Sequence, residues 1–203
     1  VLDTLALNVS VEAPADTTPP AAPTLTGQSL TNSATPTLTG TAEAGSTVNL
    51  SEGGSPLGQA DADGNGDFSI VVSANLTEGS HDITATATDA ANNVSGPSAA
   101  HTVVIDTTAP GVPTVTVTSP TTDTTPDFNG TAEAGSAVTI LVSGSVLGQA
   151  TADGSGNYTF TPSTPMSVAT HAVAVRAADA AGNVGNTSSD ISLVIQATSS
   201  LGT

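Results

Sequence analysis

The hydrophobic and polar positions of this chain follow the pattern of short β-strands. Apolar or β-branched residues alternate with polar ones in runs separated by turn residues about every ten positions, and no segment keeps a helical period. Short alternating runs at this spacing are typical of a β-sandwich. In the first half of the chain the predicted strands lie at residues 22–26, 34–41, 46–51, 56–61, 67–73, 80–88 and 99–105.

The same pattern returns 90 residues later without a gap. The hexapeptide GTAEAG at residues 40–45 recurs at 130–135, and Asp16-Thr17-Thr18 has its counterpart at 106–108. Repetition at a fixed period is the sequence signature of tandem modules. The chain therefore divides into a piece at 1–15, a first repeat at 16–105, a second repeat at 106–195 and a tail at 196–203.

The flanks differ from the repeats. Residues 1–15 alternate apolar and polar positions, which predicts a remnant or the last strand of a preceding module. The tail has Gln196 where each repeat begins with Asp. Either the array ends there or the next module is of another type, and we expect no metal site beyond the second repeat.

Composition limits how the core can be built. Aromatic residues make up only 2% of the chain, so most of the core must come from Val, Ile, Leu and Ala. Phe68 and Ile70 alternate within one predicted strand, as Tyr158 and Phe160 do in its counterpart. These four side chains are predicted to anchor the two cores.

Charge restricts the possible partners. The net charge is −17, with one basic residue, Arg176, against 18 acids. A field of this sign disfavours nucleic acid and anionic membrane, and divalent cations are its natural counterpart. No apolar stretch approaches the ~20 residues that span a bilayer, so no direct membrane insertion is expected. The chain lacks cysteine, so disulfides do not stabilise it.

Strand parity predicts that the acidic turns share one pole of each repeat. In an antiparallel order, the turns after the second, fourth and sixth strands return to the pole where Asp16 enters. These turns, at 42–45, 61–67 and 89–93, all carry acids. Converging carboxylates repel one another unless a cation neutralises them, and Ca²⁺ takes six to eight oxygen ligands. The predicted ligands are Asp16, Glu43, Asp89 and Asn93 in the first repeat, and Asp106, Glu133, Asp179 and Asn183 in the second.

A simpler interpretation is that these residues only shape turns, which Asp and Asn favour through their own backbone hydrogen bonds. The loop at 61–66 also matches the opening of an EF-hand calcium loop. The match ends there, since Val72 stands where the bidentate Glu would be and the second copy begins with Thr151. A Gly-rich hairpin turn is the better prediction for this loop. His81 and His171 are expected to be structural.

Taken together, the motifs resemble the bacterial Ig-like tandem repeats of large secreted adhesins and biofilm-associated proteins. The resemblance rests on D-T-T-A-P at 106–110, on the repeated GTAEAG and LGQA segments, and on residues 81–94, and it covers 16–195. It implies an all-β chain of Ig-like sandwiches with about seven antiparallel strands each, arranged end to end. It also implies an extracellular, Ca²⁺-stiffened extender of a cell-surface protein.

The sequence leaves three classes of function open. The leading prediction is a non-catalytic extender whose partners are the neighbouring Ig-like repeats of the same chain, with the isolated fragment monomeric. The alternatives are a glycan- or protein-binding module and an accessory domain of a secreted polysaccharide-active enzyme. No GxSxG elbow or other nucleophile setting supports catalysis by these residues.

Overall fold

The alternating segments form β-strands because their apolar positions fall on one face of a pleated chain. A computed structural model describes residues 14–198. The strands of the first repeat are β1 (Thr24–Gly27), β2 (Leu30–Thr31), β3 (Thr37–Thr41), β4 (Thr47–Glu52), β5 (Ser55–Asp61), β6 (Asp67–Val71), β7 (Gly79–Thr88) and β8 (His101–Ile105). They make a three-stranded sheet in the order β1-β3-β6 and a five-stranded sheet in the order β2-β8-β7-β4-β5.

The second repeat reproduces these elements with a shorter first sheet. Its strands are β9 (Phe128–Thr131), β10 (Ala137–Val142), β11 (Ser145–Thr151), β12 (Asn157–Phe160), β13 (Thr170–Ala178) and β14 (Ile191–Val194). They form a sheet in the order β11-β10-β13-β14 and a pair β12-β9. Single bridges, Thr116 to Asn129 and Thr121 to Ile195, stand where the first repeat has β1 and β2.

The observed strands lie close to the predicted ones, with two exceptions. The first strand expected in the second repeat, at 112–116, is reduced to the single bridge at Thr116. The first repeat has an eighth, two-residue strand, β2, which pairs in parallel with β8 through Leu30–Val104 and Thr31–Ile105. The segment after β1 therefore leaves one sheet and joins the edge of the other, so the strands are not all antiparallel. A two-residue strand is too short to show an alternation, which is why the pattern did not reveal it.

Three of the four predicted core anchors are buried, and the fourth is half-buried. Phe68, Ile70 and Tyr158 expose 3–5% of their surface, and Phe160 packs against the second core at its edge. The ring of Phe160 lies 6.3 Å from that of Phe128, which is fully buried. The remainder of the cores is aliphatic, as the composition required.

The first glycine of GTAEAG allows two strands to approach closely. A Cβ on Gly40 would lie 1.9 Å from the carbonyl oxygen of Thr24, and one on Gly130 would lie 2.0 Å from that of Thr114. The last glycine has a different role, since Gly45 and Gly135 both adopt a φ of 79°. Both positions thus require glycine for a physical reason.

By contact density the chain forms two compact units. Within residues 14–198, the first comprises 14–29, 35–75 and 81–103, and the second comprises 30–34, 76–80 and 104–198. The repeat boundaries read from the sequence stay predictions. Those for 1–15 and for the tail fall largely on residues 1–13 and 199–203, which lie outside the described residues.

Candidate functional site

The turn after the long strand of each repeat, at residues 89–93 and 179–183, is built around its first residue, an aspartate. We call these turns the acidic loops. Oδ1 of Asp89 accepts hydrogen bonds from the backbone N–H groups of Ala91 and Asn93, each at 2.8 Å. Oδ1 of Asp179 accepts one from the N–H of Asn183 at 2.8 Å. This is the Asx-type turn that the simpler sequence interpretation describes.

The asparagine that ends each acidic loop also binds the segment that leads into the repeat. In the second repeat, Nδ2 of Asn183 donates to the main-chain oxygen of Asp106 at 2.7 Å and to Oδ2 of Asp179 at 2.8 Å. In the first repeat, Nδ2 of Asn93 donates to the main-chain oxygen of Asp16 at 3.2 Å and to Oδ2 of Asp89 at 2.8 Å. We refer to this pair of contacts as the asparagine clamp, and to residues 106–110 as the linker.

These contacts bring together three of the four predicted ligands in each repeat. Strand register explains why: Thr47 at the start of β4 pairs with Thr88 at the end of β7, so the acidic loop lies at the pole given by parity. The adjacent turns are tied together as well, because the N–H of Ala42 donates to Gly66 O at 2.9 Å.

The fourth predicted ligand is placed differently. Glu43 and Glu133 are exposed, and their described hydrogen bonds are made by the main-chain oxygens, which accept from Ser46 and Ser136. Glu43 lines a shallow depression with Ala21 and Ala22, beyond the clamp. Within residues 14–198 no group of three or more His, Cys, Asp or Glu side chains is arranged to hold a metal ion.

The clamp residues fit a calcium shell only in part. The carboxylate of Asp179, the main-chain oxygen of Asp106 and the amide oxygen of Asn183 are hard oxygen donors, fewer than the six to eight that Ca²⁺ takes. The carboxylate of Asp106 accepts the N–H of Thr108 at 3.1 Å. In the observed orientation it is the amide nitrogen of Asn183 that faces Asp179 and Asp106, and an N–H group cannot ligate a cation. As it stands, the arrangement is a complete hydrogen-bonded clamp.

The pKa values of the loop aspartates reflect these contacts. The side-chain amide of Asn93 holds the pKa of Asp89 below its usual range, helped by the N–H groups of Asn93 and Ala91 and opposed by partial burial. At Asp179 burial raises the pKa, but the hydrogen bonds from Asn183 and its neighbours outweigh it and leave the pKa lowered. Both aspartates are therefore held in the charged form that accepts the clamp.

Glu78 is a linker contact that sequence reasoning missed. Its carboxylate accepts hydrogen bonds from the backbone N–H of Thr107 at 2.8 Å and from the hydroxyl of the same residue, which lowers the pKa of Glu78. The linker is also held through the N–H of Asp106, which donates to Thr31 O at 3.0 Å. The sequence held one signal of this contact, a departure from the 90-residue repeat. The positions that correspond to Glu78 and Thr107 are Val168 and Ala197, which cannot form the same side-chain contact.

The remaining candidates are structural. Asp63 accepts the N–H groups of Asn65 and Asp67 within the Gly-rich turn, in agreement with a hairpin and not an EF-hand. His81 is buried and its Nδ1 lies 3.0 Å from the carboxylate of Glu52, whereas Nε2 of His171 lies 2.9 Å from Ser167 O. The two histidines thus stabilise their strands through different partners.

Comparison with known proteins gives one family and several similar folds. The sequence model for the bacterial Ig-like domain matches residues 11–107 and 116–196. No curated protein matches the chain. The fibronectin(III)-like modules of CbhA from Clostridium thermocellum match with 16% identity and a TM-score of 0.56, over 85% of this chain and 91% of that one. At this identity the similarity concerns the fold alone.

Two further solved structures match with lower TM-scores. A tetra-tandem repeat from the extending region of a large adhesion protein is 22% identical, with a TM-score of 0.38 over 88% of this chain and half of that one. The BSP domain of a biofilm-associated protein is 19% identical, with a TM-score of 0.34 over 90% of this chain and 30% of that one.

Residues 14–198 contain no helix that is long and apolar enough to cross a membrane.

Proposed function

Since the chain belongs to the bacterial Ig-like domain family over most of its length, we propose that it is an extender segment of a bacterial cell-surface adhesion protein. The proposed role is mechanical. Tandem sandwiches add length, and a linker whose backbone groups are held by hydrogen bonds resists bending. The observation that carries the proposal is the asparagine clamp, which joins Asn183 to the main chain of the linker.

Three features of the linker support this role. Its first residue is held on both sides, through the Asp106 N–H to Thr31 and the Asp106 oxygen to Asn183. Its second residue is bound by Glu78. Prolines follow, with Pro110 buried, and proline restricts the backbone further. A segment with this many fixed backbone groups has few of the freedoms of a flexible connector.

Repulsion among the acids supports extension in a second way. With a net charge of −17 and Arg176 as the only basic residue, neighbouring repeats repel each other at low salt, because interactions within a Debye length of ~10 Å are only partly screened. A folded-back arrangement of repeats would therefore be disfavoured.

Small-angle X-ray scattering on concatenated copies of residues 16–195 tests the extender proposal. For a rigid spacer the maximum dimension should grow in proportion to the number of copies. A flexible string of domains would grow roughly as the square root of that number, and square-root growth would exclude the mechanical role.

We propose in addition that Ca²⁺ reinforces the linker, held by Asp106, Asp179 and Asn183 with Glu133 in the outer shell, and by Asp16, Glu43, Asp89 and Asn93 in the first repeat. Binding would require the amides of Asn183 and Asn93 to turn so that their oxygens face the cation. The supporting facts are the convergence of oxygen donors at the clamp and the strong negative charge. With a dissociation constant of ~10⁻⁴ M, common for extracellular modules, millimolar Ca²⁺ would add about 1.4 kcal/mol per site.

Calorimetric titration with Ca²⁺ separates the cation from the clamp. Asp106→Ala removes a carboxylate but keeps the main-chain oxygen that the clamp binds, so it should weaken Ca²⁺ binding. In chelator it should cost only the exposed hydrogen bond from the N–H of Thr108, under about 1 kcal/mol. The wild-type chain should show heat and a higher melting midpoint with Ca²⁺. Absence of both would remove calcium from the account while leaving the clamp and the extender proposal intact.

A further inference from the structure

The two repeats differ most where the first strand of the sandwich meets the next. In the first repeat, β1 and β3 pair over four residues, from Thr24–Thr41 to Gly27–Leu38. In the second repeat the pairing ends at Thr116–Asn129. The chain beyond Thr116 therefore leaves the neighbouring strand one residue pair earlier.

A glycine marks the position of this difference. A Cβ on Gly27 would lie 2.9 Å from Cδ2 of Leu38, so a larger residue there would require the Leu38 side chain to shift. The second repeat has Val117 at the corresponding position. Val117 is partly buried against the core of the second repeat, and the bridge at Thr116–Asn129 is the last described pair before the two segments separate.

The separation opens a cleft of about 530 Å³, within the range of ~300–1,000 Å³ in which small ligands bind. Two aspartates line it, Asp123 and Asp127, where the first repeat has Ser33 and Thr37. Its other walls come from Thr116, Val117, Thr118, Thr121, Pro126 and Asn129.

The lining is dominated by hydrogen-bond acceptors. Oδ1 of Asp123 accepts from Thr125, and Oδ1 of Asp127 accepts from the hydroxyl of Thr161. The second oxygen of each carboxylate has no described partner. The amide oxygen of Asn129 accepts a hydrogen bond from the hydroxyl of Thr159 at 2.7 Å. A ligand that satisfies this cleft must bring several donors and, near two carboxylates, a positive charge.

We propose that this cleft binds an amino sugar, through an ammonium group at Asp123 and Asp127 and sugar hydroxyls at the threonine side chains. Anionic ligands are excluded by the two carboxylates and the net charge of −17. A lysine side chain carries the same ammonium group on an alkyl stem. Six of the eight lining residues are polar, which suits a polyhydroxylated body better than that stem.

Nuclear magnetic resonance on the whole ¹⁵N-labelled chain provides the test, with a tetramer of β-1,4-linked glucosamine as the probe at pH 6 and low salt. Shifts should concentrate at residues 116–129. The equivalent residues 26–39 serve as an internal control and should not move. The fully N-acetylated tetramer, which lacks the charge, and tetralysine, which lacks the hydroxyls, should each bind at least tenfold more weakly.

Variants taken from the protein's own repeats give matched controls. The pair Asp123→Ser and Asp127→Thr installs the residues of the first repeat and should weaken glucosamine binding at least tenfold. The pair Asp61→Thr and Asp82→Ala removes the same charge by installing residues of the second repeat, and should leave binding unchanged.

Three results would overturn the proposal: equal shifts in 26–39 and 116–129, tetralysine binding the cleft as tightly as the sugar, or binding that survives the loss of both aspartates. The ligand comparison on the wild-type chain decides the proposal even where the double variant fails to fold. It also stands apart from the extender role, which requires no ligand in this cleft.

Discussion

Replacing Asn183 with alanine removes the asparagine clamp of the second repeat and little else. The side chain is half-buried and has two partners, the main-chain oxygen of Asp106 at 2.7 Å and Oδ2 of Asp179 at 2.8 Å. The backbone N–H of residue 183 can still donate to Oδ1 of Asp179, so the loop keeps its turn. The loss should therefore reflect the linker contact and not collapse of the loop.

The size of the effect follows from the two bonds. A partly buried neutral hydrogen bond to a main-chain oxygen contributes about 1 kcal/mol. The bond to Asp179 is charge-assisted but close to solvent, so screening reduces its share to about 0.5 kcal/mol. The sum of roughly 1.5 kcal/mol corresponds to a fall of about 6–12 °C in the melting midpoint of a domain of this size.

Differential scanning calorimetry in chelator measures this loss without a metal contribution. Asn65→Ser is the matched control, because it replaces an exposed asparagine with the residue of the other repeat and should change stability by under about 0.5 kcal/mol. Asn93→Ala should have a smaller effect than N183A, since the bond from Nδ2 of Asn93 to the main-chain oxygen of Asp16 is longer, at 3.2 Å. If N183A and N65S melt together, the clamp does not hold the linker.

Three further predictions follow from contacts of the core and the loops. Gly130→Ala should cost about 2–4 kcal/mol in urea unfolding, because its Cβ would lie 2.0 Å from Thr114 O, whereas Gly154→Ala meets no atom within 4 Å and should be nearly neutral. Tyr158→Phe should cost about 1 kcal/mol by losing the 2.6 Å bond to Thr114 O. Because burial raises the pKa of Tyr158 to about 12, the stability of the wild-type chain should also fall between pH 10 and 12. In Y158F this fall with pH should disappear. The pKa values of Asp89 and Asp179 are lowered in the folded state, so the charged carboxylates stabilise the fold fully above the unfolded pKa of about 3.9. This stabilisation is lost as pH falls through the folded pKa values. Between pH 6 and pH 2 the melting midpoint should therefore fall less steeply in the N93A/N183A double variant than in the wild-type chain.

Much of the fold could be predicted from the sequence because each strand carries its own alternation. Phe68 and Ile70, for example, are buried while the residues between and beside them are exposed, as a period of two requires. The 90-residue repeat then doubled every observation. Strand parity predicted that the acidic loop of each repeat lies at the pole where the chain enters that repeat. The contact between Asn93 and Asp16 lies at this pole.

The parts that sequence could not give depend on single contacts between distant segments. The carboxylate of Glu78 binds Thr107 across 29 positions, and no local pattern marks such a pair. The orientation of the Asn183 amide is similar, since its identity as a calcium ligand or as a hydrogen-bond donor depends on which atom faces Asp179. Glu133 was assigned with the ligands by its turn, yet a turn position fixes neither the direction of a side chain nor its partners.

The mobility of the linker amides tests most directly whether the contacts of the linker with Thr31, Glu78 and Asn183 hold it in place. ¹⁵N relaxation in chelator should give Asp106, Thr107 and Thr108 order parameters near those of the strands, about 0.85. The reason is that backbone groups of Asp106 and Thr107 are bound by Asn183, Thr31 and Glu78. The N–H of Thr108 donates to Oδ1 of Asp106. Values below about 0.6 at these residues would show a flexible connector and contradict the account.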